Sequence, residues 1–373
     1  MGKILKTLKE QKIDNVIMEA SSHGLEQNRL DGLKFNSGIF TNLSQDHLDY
    51  HKNLRDYLDA KLYLFRNLKK KKGNIITDSK IPEFVEIKKI AKKKFLKLNT
   101  IEGKNEKLKI LTHSFHDESQ ILKIKYKGVV KHIRINLIGK IQIKNILMAL
   151  IAAEKSGLNL NKILNVLPSL KPIEGRFEKI GMIKNKSKVI LDYAHTPDAL
   201  KTCLLNLKEQ FPDKKIISLF GCGGNRDQNK RSKMGNIADI FSDKIYLTDD
   251  NPRFESSHKI RKDIRTGIKK TKVIEISDRG KAIAQAIKNL RTGEILLVAG
   301  KGHEKVQDIG KRKIFFSDKK TILESIKTKN HSLSNNLKLN IIREVSGNKK
   351  FPFSLKLKQA RINSKEVKKD DIF

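Results

Sequence analysis

Residues 189–231 read VILDYAHTPDALKTCLLNLKEQFPDKKIISLFGCGGNRDQNKR. An apolar run, VILDY, leads through a turn with Thr196 and Pro197 into a stretch with apolar residues at helical spacing. A second apolar run, KIISLFG, follows and ends in a glycine-rich loop. Short apolar runs bounded by turn residues predict buried strands, and strands alternating with amphipathic helices predict a parallel sheet. Downstream, KIYLTD, KVIEI and EILLVAG continue the alternation. From Val189 onward the sequence therefore predicts a doubly wound, Rossmann-like α/β domain.

Working outward, the N-terminal part is also α/β. Lys3–Gln11 predicts a helix, Asn15–Glu19 a buried strand, Ser37–Thr41 a second strand and Leu54–Leu68 a helix. Residues 107–138 hold short segments (LKILTHSF, ILKIKYK, HIRINLIG) separated by turn residues, which predicts a small antiparallel patch. Ile143–Lys155 predicts an apolar helix. Beyond the second domain, residues 329–339 (KNHSLSNNLKL) are polar and predict a linker, and 340–373 are too few for a domain.

Composition narrows the functional classes. No run of about 18 apolar residues is present, so no membrane helix is expected. The charged N-terminus lacks the apolar core of a secretory signal. Two cysteines, Cys203 and Cys222, are too few for a disulfide framework and fit a reduced cytosol. The formal charge of +38 leaves two readings: phosphate binding, or lysines spread over a solvated surface. The lysines are distributed along the chain, without zinc-finger spacing, a basic zipper or an RNA-binding aromatic motif.

Six clusters could carry chemistry. MEASSHGLEQNRL (18–30) follows a predicted strand whose terminal Glu19 could ligate a hard cation or simply cap a turn. TNLSQDHLDYH (41–51) gathers Asp46, His47, Asp49 and His51, as a metal site or a polar loop; DYLDAKLYLF (56–65) carries Lys61, by pattern a snorkelling surface lysine. DYAHTPDAL (192–200) opens a helix whose N-terminus favours an anion, or is merely capped. LFGCGGNRDQNKR (219–231), DDNPR (249–253) and VAGKGHE (298–304) each follow a strand. Three successive strands ending in glycine-rich or polar loops point to one shared crevice. Neither a G-x-G-x-x-G fingerprint nor a G-x-x-x-x-G-K-[ST] phosphate loop occurs, so the residues by themselves do not identify an ATPase.

Taken in order, these six motifs resemble the Mur ligase family, most closely its diaminopimelate-adding MurE type. The resemblance spans roughly residues 3–328 and includes IQIKNILMALIAAEKSGLNL (141–160) and GRFE (175–178). It implies a cytoplasmic, ATP-dependent, Mg²⁺-requiring amide ligase of peptidoglycan synthesis that joins meso-diaminopimelate to UDP-N-acetylmuramoyl-L-alanyl-D-glutamate through an acyl phosphate. Glu19 and His47 match Mg²⁺ ligands, and Lys61 matches the lysine carried as a carbamate (N6-carboxylysine). Ser21, Gln27 and Arg29 match residues that hold the UDP-muramoyl-dipeptide. Asn145, Arg176, Asp192 and His195 match nucleotide contacts. Arg226, Asp250, Asn251, Pro252, Arg253, Gly300 and Glu304 match the diaminopimelate pocket. In this family the DNPR sequence goes with diaminopimelate, whose second carboxylate an arginine pairs by charge-assisted hydrogen bonds.

The sequence also departs from the family. The uridine-binding domain and the phosphate loop that precede the first matched strand are absent, so residues 1–176 resemble a partial ATPase domain and 177–328 a C-terminal acceptor domain. Little ligase activity is expected of this polypeptide alone. Asn225 stands where Asp is common, and Lys140 and Gln142 differ in the helix approach. ARINSKEVKKDDIF (360–373) resembles the opening of a MurF-type ligase, which suggests a slice of a fusion. Two alternatives remain: a non-catalytic remnant that binds the amino acid or nucleotide, and a basic nucleic-acid-binding protein.

Overall fold

The computed structural model describes residues 2–44, 50–69, 71–101, 108–335, 337–338 and 356–357. The chain divides into two units: Met1–Pro172 with Thr196–Asp198 and Glu209–Phe211, and Ile173–His195 with Ala199–Lys208 and Pro212–Phe373. This cut falls before GRFE, which belongs to the second unit, whereas the sequence reading ended the first domain at 176.

In the first unit, α1 (Gly2–Glu10) and α2 (Ser22–Glu26) precede β1 (Ser37–Phe40), α3 (Leu54–Leu62), β2 (Asn74–Asp78), α4 (Phe84–Lys93) and β3 (Lys97–Ile101). The strands form a parallel sheet in the order β1-β2-β3. Leu58 and Leu62 of α3 and Ile87 and Ala91 of α4 lie one turn apart on their helices, and both pairs are buried in one core with Phe40, Phe65 and Ile75. The predicted antiparallel patch is β4 (Leu108–His116), β5 (Ser119–Tyr126) and β6 (Val129–Ile135). Next come α5 (Ile141–Lys155) and α6 (Leu160–Val166). Ile143, Ile146, Leu147, Leu150 and Ile151 of α5 share a core with the antiparallel sheet and with Ile76 and Ile101 of the parallel one. One apolar helix face thus ties the two sheets together.

Two expectations are corrected. Residues 15–19 form no strand: Val16 and Ile17 are exposed, Ile17 at 97%. A short apolar run holds strand geometry only when a neighbour accepts its hydrogen bonds, and among the described residues β1 pairs with β2 alone. The predicted linker is helical through Asn335, since α11 (below) runs through residues 329–335. Asn and Ser do not break a helix whose earlier turns are anchored by buried Ile322 and Ile326. Of 340–373, only 356–357 are described, so the tail motif lies outside the described residues.

The second unit runs β7 (Glu178–Lys179), β8 (Lys188–Asp192), α7 (Pro197–Gln210, of which Ala199–Lys208 belong to this unit), β9 (Ile216–Phe220), α8 (Asn229–Phe241), β10 (Lys244–Leu247), α9 (Ser257–Arg265), β11 (Val273–Glu275), α10 (Arg279–Asn289), β12 (Ile295–Ala299), the hairpin β13 (Val306–Ile309) and β14 (Arg312–Phe315), and α11 (Asp318–Asn335). Its six-stranded sheet has the order β11-β10-β9-β12-β8-β7, parallel except for β7. All five residues of both β9 and β12 are buried, as expected of strands covered on two faces. Each such Leu or Ile contributes about 1.5–3 kcal/mol on burial. The four adjacent strands β10, β9, β12 and β8 all end at the same edge, where the loops with the candidate motifs leave the sheet.

Candidate functional site

In the first unit, the 18–30 and 41–65 motifs are neighbours in space. Ser21 caps α2, its Oγ accepting from the Gly24 N–H at 3.2 Å. Gln27, at the other end of that helix, donates from Nε2 to the Tyr50 hydroxyl at 3.0 Å. His51 is buried, with Nε2 2.9 Å from Ser22 Oγ and its ring stacked 5.0 Å from that of Tyr57. That histidine therefore links the start of α2 to α3. Lys61 lies one turn beyond Tyr57 on α3. It does not snorkel outward: its ammonium donates to the Asn42 carbonyl at 3.1 Å and lies 4.8 Å from the Tyr57 ring centroid. Glu19, Ser21, Gln27 and Arg29 are exposed, as is Asn145 on α5. Lys144 beside it pairs with buried Asp78 at the end of β2, at 2.6 Å, which pins the first turn of α5 to the sheet edge. His47 lies outside the described residues, together with Asp46 and Asp49. Among the described residues no three His, Cys, Asp or Glu side chains gather at a metal position.

In the second unit the predicted convergence is present. At the end of β8, Asp192 accepts from the Phe177 N–H and the Ala194 N–H, each at 2.7 Å. Burial pushes its carboxyl up from the ordinary range, against the pull of these bonds and of Arg176. The Arg176 guanidinium stacks 4.3 Å over the Tyr193 ring, and His195 Nδ1 is 2.9 Å from the Tyr193 carbonyl. Three of the four nucleotide-type residues are thus held together around Tyr193.

The acceptor-type residues lie on the neighbouring loops. Gly224, after β9, donates its N–H to the Asn251 carbonyl at 2.9 Å, and a Cβ there would lie 2.0 Å from the Pro252 oxygen. Only glycine lets these two loops touch backbone to backbone. Arg253 donates from Nη1 to the Gly224 carbonyl at 2.7 Å, and its N–H to the Asp308 carbonyl at 3.0 Å. Gly300 has φ +116°, and a Cβ would meet Asp250 Oδ2 at 2.6 Å. Glu304 accepts on Oε2 from Asn251 Nδ2 at 3.1 Å and from Lys301 Nζ at 3.0 Å, and on Oε1 from the Tyr193 hydroxyl at 3.3 Å. Burial raises its carboxyl, but the bond and charge of Lys301, with Asn251 and Tyr193, outweigh that and hold it below the ordinary range. Asp250 Oδ2 is buried without a hydrogen bond, 4.0 Å from Arg279 Nη1. Arg226 is exposed on the glycine-rich loop. Arg231, in the same motif, is instead fully buried between Glu255 (2.8 Å) and Asp263 (2.9 Å) and holds α8 to α9.

Lys301, Tyr193 and Arg279 are missing from the set read in the sequence. The available signal is position: Tyr193 and Lys301 follow β8 and β12 by one and two residues. Asn225 holds φ +51° and accepts from the Phe254 N–H at 3.1 Å. Asparagine and aspartate both tolerate that conformation, so nothing in the backbone explains the one standing for the other.

Comparison with known proteins agrees with both units. Residues 1–153 match the family described as Mur ligase middle domain, and 175–302 match Mur ligase, glutamate ligase domain. A protein of Rickettsia bellii named UDP-N-acetylmuramoyl-L-alanyl-D-glutamate--2,6-diaminopimelate ligase is 41% identical over 85% of this chain and 66% of its own length. One of the same name from Wigglesworthia glossinidia brevipalpis is 42% identical over 85% and 64%. The chain thus spans about two thirds of the length of the curated relatives it matches. A solved structure of that name is 32% identical, with a TM-score of 0.56 over 84% of this chain and 64% of the other. A MurF ligase from Thermotoga maritima, solved with ADP, shares the fold at a TM-score of 0.62 and 15% identity, over 84% and 66%. With both matched regions in order and relatives at this identity, the chain belongs to the Mur ligase family.

Proposed function

We propose that this chain supplies the acceptor site and the carbamate-lysine region of an ATP-dependent ligase that joins meso-diaminopimelate to the D-glutamyl carboxylate of UDP-N-acetylmuramoyl-L-alanyl-D-glutamate in the cytoplasm. The observation that carries the reading is the bond between Asn251 and Glu304 beyond the ends of parallel strands, with Arg253 two residues on in the same loop as Asn251. Diaminopimelate has two carboxylates and two ammonium groups. The Glu304 carboxylate suits an ammonium. Arg253 spends one N–H on Gly224, and a guanidinium has five, so donors remain for the carboxylate that lysine lacks. Asp250 and Gly300 border the same loops, and Arg226 adds a second cation at the rim.

In the reaction proposed, the D-glutamyl carboxylate takes the terminal phosphoryl group of ATP, the acceptor amine attacks the acyl carbon, and phosphate leaves as the amide forms. Asn145, Arg176, Asp192 and His195 would contact the nucleotide, and Ser21, Gln27 and Arg29 the UDP-linked substrate. Mg²⁺, with Glu19, His47 and carbamylated Lys61 as its proposed ligands, would neutralise the phosphate charge. A lysine becomes an oxygen ligand for a hard cation only by gaining CO₂. The 373 residues contain no phosphate loop, so little turnover is expected from them alone.

Acceptor binding, measured by calorimetry, therefore tests the reading. The chain should bind meso-diaminopimelate in preference to L-lysine. Arg253→Ala should weaken diaminopimelate by about tenfold or more, as loss of a charge-assisted pair does, and should leave lysine nearly unchanged. Equal binding of both amino acids by the wild-type chain would sink the assignment.

A further inference from the structure

We propose that Lys301 is a positioning residue for the acceptor amino acid, locking Asn251 and Glu304 into the arrangement that receives an ammonium group; the proposal rests on the acceptor reading above. Lys301 is fully buried. Its ammonium donates to Asn251 Oδ1 at 2.9 Å, Glu304 Oε2 at 3.0 Å and the Val306 carbonyl at 2.7 Å. An ammonium has three N–H bonds, and all three are engaged. Lys301 therefore acts through its neighbours and not by touching the acceptor.

Its effect on those neighbours is specific. Asn251 Oδ1 accepts from Lys301 and also from the Asp308 N–H at 3.0 Å, which fixes the amide orientation and turns Nδ2 toward Glu304. Glu304 Oε2 then has two donors. Oε1 meets only the longer Tyr193 bond among those described, and the side chain is 33% exposed, so that edge is available to a ligand. One buried cation thus joins the loops after β10 and β12, and Tyr193 joins that after β8. The three bonds offset the cost of burying the ammonium, and removing it takes one of two donors from Asn251 Oδ1 and from Glu304 Oε2 and a donor from the Val306 carbonyl.

The charged and titratable groups facing Glu304 are Lys301 on its own loop, Arg279 from α10, and Tyr193 with Asp250 and Arg176 nearby. Lys301 is the largest influence holding the carboxyl low. Without it Glu304 protonates at higher pH, and ammonium binding is lost at correspondingly higher pH.

The test compares the full chain with Lys301→Met by calorimetric titration of meso-diaminopimelate across pH, with ¹³C NMR titration of the Glu304 carboxyl in the unliganded proteins. The expected result is a loss of affinity of about tenfold or more, an acid limb of binding moved to higher pH, and a raised Glu304 midpoint. In a double-mutant cycle, adding Glu304→Gln to Lys301→Met should cost little more, whereas a merely structural lysine gives additive losses. If Lys301→Met does not fold, Lys301→Gln, which keeps one donor group, is measured the same way. Affinity within twofold of wild type, or additive losses, overturns the proposal. If the wild-type chain binds no diaminopimelate, the acceptor reading fails; an unmoved Glu304 midpoint would then overturn the positioning role too, and a raised one would support it.

Discussion

Gly300 sets a limit on the acceptor loop that a side chain cannot meet. Its φ of +116° lies outside what other residues adopt, and a Cβ would press on Asp250 Oδ2 at 2.6 Å. Gly300→Ala should therefore cost about 1–3 kcal/mol in urea unfolding and, by displacing Asp250, weaken meso-diaminopimelate in calorimetry. Unchanged stability with unchanged affinity would show that the loop relaxes freely. Individual residues were unevenly legible in the sequence. The pattern of apolar strands picks out the loops that carry Asn251, Arg253 and Glu304, whereas the residues themselves are singled out by the resemblance to the Mur ligases. Lys301 did not stand out, because a lysine between two glycines looks solvated, and its burial is imposed by Asn251 and Val306, which are distant or unremarkable in sequence. Arg231 is the opposite case: it sits in a loop-and-helix motif with Arg226, yet its two carboxylate partners are 24 and 32 residues away and consume it.

At the scale of elements, hydrophobic pattern was enough wherever an element owns its core. The five strands from VILDY to EILLVAG, the antiparallel patch and α5 appear where periodicity puts them. The 15–19 segment shows the limit, since a strand also needs a neighbour and the local pattern does not carry one. Connections were less legible because side chains fix them. Asp239, near the end of α8, accepts from the N–H groups of Lys269 (3.0 Å), Lys270 (3.1 Å) and Thr271 (2.6 Å) and so ties that helix to the turn before β11. Burial raises its carboxyl, but these bonds prevail and bring it to about 2, from 3.8. A depressed folded-state value means the stabilisation is complete above the unfolded value near 3.8 and is lost as pH falls through about 2. Asp239→Asn should remove that part of the acid dependence, so that the wild-type and variant melting curves converge as pH drops from about 4 toward 2. A constant gap between the two melting temperatures over this range would refute the role.

For the whole molecule, the informative fact is that each described cluster of buried side chains draws its members from a single unit. The core of the second unit runs from Ile180 to Ile326, and the two cores of the first unit are drawn from Phe40 to Leu167. A core drawn from one stretch of chain is a physical condition for independent folding. Net charge gives no such information: +38 describes a solvated, lysine-rich surface and is silent on where one fold ends and the next begins. Residues 173–335 contain the six-stranded sheet, its flanking helices, Asp192 with its Phe177 and Ala194 donors, and every acceptor-type residue together with Lys301. Expressed alone, this segment should unfold in a single cooperative calorimetric transition. It should also bind meso-diaminopimelate within about twofold of the full chain, since about 0.3–0.5 kcal/mol is the error of treating separate sites as independent. A fragment that folds but does not bind would move part of the acceptor site into the first unit. A fragment without a cooperative transition would refute independent folding of this segment.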